Sequence, residues 1–273
     1  MKLLIAVDME GITGVVNWDQ VTPGSTEWQR FRRLMTEDVN AAIVGALEGG
    51  VDEILVADGH WNSDNLVIDQ LHPRAVLNYG SPSPFSMIQG VDQGVDAVFF
   101  IGYHAMVGTA QAILDHTWSN AKVANLWLNE RLVGETGLNA AVCGHFGVPV
   151  ILLSGDQAVA AEAKDWLPGI HCVVVKQAAG RYSAACLHPT ETKKMITNAA
   201  HQAVLDFKAG QAAQPLRVVE PVSLRVEFKT TDMADRAMMA PGVVRVDGRS
   251  LRFSSDSMPQ AYLTFRALVG LAG

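Results

Sequence analysis

Carboxylate and imidazole side chains follow three apolar, strand-like segments of this sequence. Asp8 and Glu10 close the segment LLIAVDME, His60 closes EILVADGH, and His104 closes AVFFIGYH. Alternate side chains share one face of a strand, so Asp8 and Glu10 should point the same way and repel each other. A bound divalent ion turns that repulsion into attraction. Mixed imidazole and carboxylate ligands are typical of zinc, and also of manganese, cobalt and iron.

These residues also have purely structural interpretations. Asp8 and Glu10 could cap loops, and the two histidines could be hydrogen-bonded members of the core. In open parallel sheets, however, ligands bind beyond the carboxyl ends of the strands. Three strand ends of this chemical kind in one half of a sheet therefore favour a metal site.

The elements that must position these residues alternate along the first half of the chain. Apolar strand-like runs are separated by helical patterns, of which EWQRFRRLMTEDVNAAIVGALEGG is the longest and ends in a glycine pair. This alternation predicts an α/β fold with a mostly parallel sheet flanked by helices. Such a sheet would bring the ends of its strands to one edge.

A change in composition marks a candidate domain boundary. The stretch QAAQPLRVVEP is rich in small residues and proline, and it precedes a pattern of strand, helix, strand, Asp247-Gly248 turn, strand and helix. We therefore expect an α/β metal-binding catalytic domain over residues 1–212 and a smaller α+β domain over residues 213–273.

Composition excludes several classes of protein. The 273 residues are 49% hydrophobic and 18% charged, which allows a sizeable core and argues against disorder. The net charge of −7, without a basic block, argues against nucleic acid as a partner. No apolar stretch approaches the ~20 residues that span a membrane. The apolar run before Asp8 is too short for a signal peptide, and the three cysteines lack metal-like spacing, so we expect a cytoplasmic protein with reduced thiols.

Several short motifs occur together in this chain. DMEGITG from Asp8, DGH from Asp58, GYHA from Gly102, DHTW from Asp115 and VGETGLNA from Val133 resemble the M55 family of D-aminopeptidases. The resemblance covers nearly the whole chain, with the motifs in the same order.

The M55 resemblance implies a site with two zinc ions; manganese, cobalt or iron remain alternatives as the native metal. Asp8 corresponds to the aspartate that both ions share. The partners on one ion would be Glu10 and His60, and those on the other His104 and Glu135. From the residues alone, Glu135 would instead favour a helix N-terminus electrostatically. His116 corresponds to the catalytic histidine of the family.

The function implied by the resemblance is removal of N-terminal D-amino acids, of the D-alanine type, from short peptides and amides. A hydroxide activated by the two metals would attack the amide carbonyl. His116 would stabilise the tetrahedral intermediate or donate a proton to the departing amine. Relatives in the family form large rings, so the resemblance also implies a ring-like homo-oligomer such as a decamer.

Two alternatives remain open. The first is a binuclear metallohydrolase of another substrate, either a non-peptide amide or a phosphoester, since one such centre serves many bonds. No evident arginine or lysine cluster lies beside the ligands in the sequence, which ranks amides first. The second is a non-catalytic intracellular protein that binds peptides or metal, which the presence of His116 disfavours.

Three neighbours of the candidate residues also have open roles. Asp58 could accept a hydrogen bond from a ligating histidine or cap a turn. Asp115 could orient His116. Asn139, one helical turn after Glu135, could face the site or solvent.

Overall fold

Two β-sheets, with helices between and outside them, form the protein; the computed structural model describes every residue from Met1 to Gly273. The first sheet has seven strands, and its neighbouring strands are parallel except for the last pair. In spatial order they are β3 (Ala75–Asn78), β2 (Glu53–Asp58), β1 (Lys2–Val7), β4 (Ala97–Ile101), β7 (Val150–Asp156), β8 (His171–Gly180) and β9 (Ser183–Cys186).

The second sheet is antiparallel and has five strands. In spatial order they are β11 (Val244–Arg245), β12 (Ser250–Ser255), β10 (Val222–Phe228), β5 (Val123–Leu128) and β6 (Arg131–Leu132). The helices are α1 (Trp28–Glu48), α2 (Glu135–His145), α3 (Gln157–Trp166), α4 (Pro189–Lys208), α5 (Thr231–Ala237) and α6 (Met258–Leu271). None of these helices combines the length and the apolar composition that crossing a bilayer requires.

Strand β1 is apolar throughout because both of its faces are covered. Leu3 and Ile5 belong to the apolar core that includes α1 and α4, whereas Leu4 and Ala6 belong to the core shared with α2, α6 and the second sheet. A central parallel strand of this kind is expected to lack polar alternation. The predicted α/β fold with a mostly parallel, helix-flanked sheet is confirmed.

The long helix α1 ends as its glycine pair predicts. Gly50 has φ +84°, and the N–H groups of Gly50 and Val51 donate to the carbonyls of Leu47 and Ala46. These two hydrogen bonds form a Schellman motif, in which glycine adopts the left-handed conformation at no steric cost. The chain is thereby turned directly into β2.

The second sheet draws its strands from two distant parts of the chain. β10, β11 and β12 lie in the C-terminal segment, where a small α+β unit is predicted, but β5 and β6 come from residues 123–132 and β5 pairs with β10. A division at residues 212 and 213 therefore stays a prediction about folding units, whereas the sheet itself spans both segments.

Candidate metal centre

Three neighbouring strands bring the acidic and imidazole residues to one edge of the parallel sheet. Val7 at the end of β1 pairs in register with Asp58 of β2 and Ile101 of β4, so the segments that follow leave the sheet at the same level. Gly102, with φ +76°, makes this close approach possible, since a Cβ there would lie 2.2 Å from the carbonyl oxygen of Asp8. The polar residues after each strand consequently converge.

Asp8 lies between two histidines. Its Oδ1 is 3.3 Å from Nδ1 of His60, and its Oδ2 is 3.3 Å from Nε2 of His104. Glu10 Oε2 is 3.2 Å from the same His60 nitrogen, and Glu135 Oε1 is 3.2 Å from the same His104 nitrogen. Two groups of nearby ligand atoms that share Asp8 thus form, one with Glu10 and His60 and the other with His104 and Glu135.

His116 lies between these two groups. Its Nε2 is 3.9 Å from a carboxylate oxygen of Glu10 and 3.9 Å from one of Glu135. Its ring stacks on that of His104 with centroids 4.0 Å apart, and Trp18 packs edge-on against it. Ligand atoms of His104, His116 and Glu135 lie within 4.8 Å of one another, as do those of Asp8, Glu10 and His104. By distance alone, His116 is therefore also close enough to bind a metal.

Each histidine uses one ring nitrogen for a backbone carbonyl and turns the other toward the carboxylates. This arrangement fixes which nitrogen carries the proton in the neutral ring and leaves a lone pair on the other. The carbonyl contacts are His60 Nε2 to Val21 at 2.7 Å, His104 Nδ1 to Ala105 at 3.0 Å and His116 Nδ1 to Leu114 at 2.8 Å. A lone pair and carboxylate oxygens facing one another require a cation between them.

The buried polar atoms of this cluster test whether a metal fits. All six residues are buried, with exposed fractions from 2% to 7%. Asp8 Oδ2, Glu10 Oε2 and His104 Nε2 have no hydrogen-bond partner. Leaving such atoms buried and unpaired costs about 1–3 kcal/mol each, and more for charged groups. Divalent ions would satisfy all three, so the donor set fits metal ions.

The pKa values of the cluster report the same demand for positive charge. Burial raises the pKa of Asp8 to about 7, and the neighbouring Glu10 carboxylate acts in the same direction. Burial would lower the pKa of His60, but Glu10 and Asp8 raise it well above its ordinary value, and Glu135 does the same for His104. Without metal, protons supply the positive charge here; a bound metal ion would displace them.

Asp58 and Asp115, two neighbours of the candidate ligands, have structural roles. The carboxylate of Asp58 accepts hydrogen bonds from the backbone N–H groups of His60, Asn65 and Leu66, so it caps the turn rather than binding an imidazole. The carboxylate of Asp115 accepts from the backbone of Gly108 and pairs with Arg181. It does not orient His116, whose Nδ1 donates to the Leu114 carbonyl instead.

Asn139 does not face solvent. It is fully buried in α2, and its amide donates to the hydroxyl of Tyr103 over 3.1 Å. Glu135, the first residue of the same helix, accepts a hydrogen bond from the backbone N–H of Trp118 at 2.7 Å. The start of α2 is therefore tied to the loop that carries His116.

Sequence reasoning missed one residue that holds the site together. Lys176 of β8 is 1% exposed, and its ammonium donates to the carbonyls of Glu10 at 2.6 Å, Ile12 at 2.9 Å and Val15 at 2.8 Å. These bonds fix the segment that carries Glu10. A lysine inside the apolar run HCVVVKQ is the signal that points to it, because lysine is almost never fully buried unless it is paired.

A cleft of about 570 Å³ opens over five of the six residues. Asp8, Glu10, His60, His116 and Glu135 line its floor. Its walls include Trp18, Trp61, Trp118, Met87, Lys122 and Arg266. The volume lies within the range of small-ligand sites, which are ~300–1,000 Å³.

Comparisons with known proteins agree with one another over the full chain. A sequence model of the M55 peptidases, described as D-aminopeptidase, matches residues 1–267. The D-aminopeptidase of Bacillus subtilis (strain 168) is 34% identical over 273 residues, which are 100% of this chain and 98% of that protein. The solved structure of the Zn-dependent D-aminopeptidase DppA from Bacillus subtilis, described as a self-compartmentalizing protease, superposes with a TM-score of 0.95. It is 34% identical, and the match covers 100% of this chain and 98% of that one. The chain therefore belongs to the M55 family of D-aminopeptidases.

Proposed function

We propose that this protein is a zinc-dependent aminopeptidase that hydrolyses N-terminal D-amino acids, of the D-alanine type, from short peptides and amides. The observation that carries the proposal is the pair of buried ligand groups that share Asp8, in which one oxygen of Asp8, one of Glu10 and Nε2 of His104 have no hydrogen-bond partner. The family supplies the reaction class, because fold alone does not determine it.

Two zinc ions per chain are the occupancy that these groups support. Asp8 would be shared, Glu10 and His60 would complete one set of ligands, and His104 and Glu135 the other. The same donors suit manganese, cobalt or iron, so the native metal is an experimental question. When bound, such ions lower the pKa of water and polarise a carbonyl oxygen.

His116 is the catalytic residue that we propose. Its Nδ1 donates to the Leu114 carbonyl, which holds the ring so that Nε2 reaches the cleft. Burial lowers the pKa of His116, which favours the neutral ring and leaves its Nε2 able to accept a proton. That nitrogen can then stabilise a developing oxyanion after protonation, or pass its proton to the departing amine.

We propose that the protein works as a ring-like homo-oligomer, such as a decamer, in the cytoplasm. The relative of solved structure is described as self-compartmentalizing, and a shared fold at a TM-score of 0.95 supports the same assembly here. An enclosed chamber would admit short peptides and exclude folded proteins. The cytoplasmic location is supported by the cysteine usage alone.

The experiment that tests the function compares substrates on the zinc-loaded protein. D-alanyl p-nitroanilide, L-alanyl p-nitroanilide and p-nitrophenyl phosphate separate the proposal from its alternatives. We expect cleavage of the D-anilide, little of the L-anilide and none of the phosphate ester. Preferred cleavage of the phosphate would establish a phosphoesterase, whereas binding of D-alanyl peptides without cleavage would establish a binding protein.

A further inference from the structure

Negatively and positively charged side chains line different parts of the cleft. The carboxylates that line it are Asp8, Glu10 and Glu135, all on the floor, whereas its only lysine and arginine are Lys122 and Arg266 on the wall. No carboxylate of the chain lies within 4.0 Å of either cation, whereas six other arginines each pair with one. We call Lys122 and Arg266 the cationic wall.

Both side chains of the cationic wall are half-buried and anchored by backbone carbonyls. Lys122 Nζ donates to the carbonyl of Val269 in α6 at 3.2 Å. Arg266, one turn earlier in α6, donates through Nη1 alone to the carbonyls of Ser83 and Pro84. Two donors of the lysine and the Nε and Nη2 edge of the guanidinium are left without protein acceptors.

These free donors suit a carboxylate. A guanidinium presents parallel N–H groups that match the two oxygens of a carboxylate, and charge-assisted bonds of this kind are about twice as strong as neutral ones. Anchoring by carbonyls positions the cations before a ligand arrives, which lowers the entropy lost on binding. A carboxylate of the ligand would supply the anion that the chain does not provide.

We propose that Lys122 and Arg266 bind the C-terminal carboxylate of a short peptide whose amino end lies on the floor of the cleft. The inference rests on the proposed function, since a peptide substrate always carries this carboxylate unless it is blocked. Each residue beyond the scissile bond adds at most ~3.3–3.6 Å, so a cleft of about 570 Å³ limits the peptide to very few residues. The cationic wall thereby selects short peptides with a free carboxyl terminus. Neither residue touches the reacting atoms, so their role is in specificity.

The test compares D-alanyl-D-alanine with its C-terminal amide, which differs only in the charge at that end. For the zinc-loaded wild-type protein we expect kcat/KM to favour the acid by about 10- to 100-fold, mainly through KM. In Lys122→Met and in Arg266→Gln, the ratio of acid to amide should fall by about tenfold or more, because only the acid loses a contact. Lys193→Met, which removes an exposed lysine of α4, should leave the ratio unchanged.

D-alanyl p-nitroanilide, which has no carboxylate, distinguishes failure of the proposed aminopeptidase function from failure of the proposed carboxylate site. If the wild-type protein cleaves no D-alanyl compound, the proposed function is wrong. If it cleaves the anilide but treats acid and amide alike, or if the variants weaken both equally, the carboxylate site is wrong. Should Arg266→Gln lose zinc because the segment at Ser83 is released, Lys122→Met and Arg266→Lys decide the question. A smaller acid preference in Lys122→Met, and in Arg266→Lys through a higher KM for the acid alone, would support the carboxylate site; an unchanged acid preference in both variants would overturn it.

Discussion

The floor and the cationic wall of the cleft are built from different layers of the fold. The floor lies at the carboxyl edge of the parallel sheet, where six titratable residues are 2% to 7% exposed and compensate one another's charge. The wall is formed by residues next to β5 and in α6, which belong to the layer of the antiparallel sheet, and its two cations are half-buried.

The difference shows how each layer suits its task. Metal ligands have to be held within a few tenths of an ångström, which central strands and their hydrogen-bonded turns provide. Recognition of a substrate end tolerates some solvation, and it is provided by side chains on the neighbouring layer. We therefore expect substitutions on the floor to abolish metal binding or catalysis and substitutions on the wall to change substrate preference.

The largest effect should come from Asp8→Asn on the floor. The change keeps the shape of the side chain but removes the negative charge shared by both ligand groups. We expect loss of most bound zinc and a fall in kcat/KM of about 10³-fold or more, because several kcal/mol of transition-state stabilisation depend on the metal. Zinc analysis and the D-alanyl anilide assay measure both. Asp69→Asn, an exposed aspartate, is the matched control; wild-type zinc content in Asp8→Asn would exclude Asp8 as a ligand.

Replacing His116 should separate catalysis from metal binding. In His116→Ala the five proposed ligands remain, so zinc content should stay near that of the wild type. The loss of general acid–base catalysis should lower kcat by about 10²–10⁴-fold. A nearly normal kcat in zinc-loaded His116→Ala would show that this histidine takes no part in the reaction. Loss of zinc would instead make His116 a ligand, as its distances allow.

The floor could be predicted from the sequence because its determinants are local. Apolar runs that end in Asp8, His60 and His104 define both the strands and the positions of the side chains that follow them. The assignment of the ligands to two metal ions needed the M55 resemblance, since the position of Glu135 depends on how a distant helix packs. The carbonyl partners of the three histidines could not be predicted, because they lie on loops that only tertiary structure brings close.

Other features of the structure were not predicted from the sequence, for identifiable physical reasons. The segment NLVIDQLHP has a helical pattern, but the structure has turns there, and the N–H of His72, which a helix would direct to Ile68, donates to the side chain of Asn40 instead. The pairing of β5 with β10 joins residues about a hundred positions apart, and no local pattern encodes it. The cationic wall was missed for the same reason, since Lys122, next to β5, and Arg266, in α6, line the same cleft only in the folded chain.

Lys176 connects the floor to the rest of the sheet, and its loss should affect stability first. Lys176→Met would leave the buried carbonyl oxygens of Glu10 and Val15 without a donor, each costing about 1–3 kcal/mol, while the Ile12 carbonyl would keep only the N–H of Val15. We expect the free energy of unfolding to fall by about 3 kcal/mol or more and zinc affinity to fall with it, because the segment of Glu10 is released. Urea unfolding of the metal-free and zinc-loaded forms measures both. Stability like that of the Lys193→Met control would show that the three contacts contribute little.

The smallest effect should come from Asp38, which lies behind the floor and is not part of the cleft. Burial raises its pKa from 3.8 to about 6, although hydrogen bonds from Thr13 lower it. The folded state therefore binds a proton more tightly than the unfolded state, and stability from this group is lost as pH rises from about 4 to 6. Asp38→Asn should remove this loss, of about 1–3 kcal/mol. The free energy of unfolding is measured for both proteins between pH 4 and pH 7. The same change with pH in wild type and Asp38→Asn would refute the prediction.

The zinc stoichiometry of an active protein tests the shared-aspartate site most directly. Metal is removed with a chelator, zinc is added back stepwise, and bound zinc, melting temperature and D-alanyl anilide hydrolysis are measured at each step. We predict that activity and melting temperature rise together until two zinc ions are bound per chain, since a ligand of the folded state stabilises it. Full activity with no metal bound, or zinc binding that His60→Ala and His104→Ala leave unchanged, would contradict it.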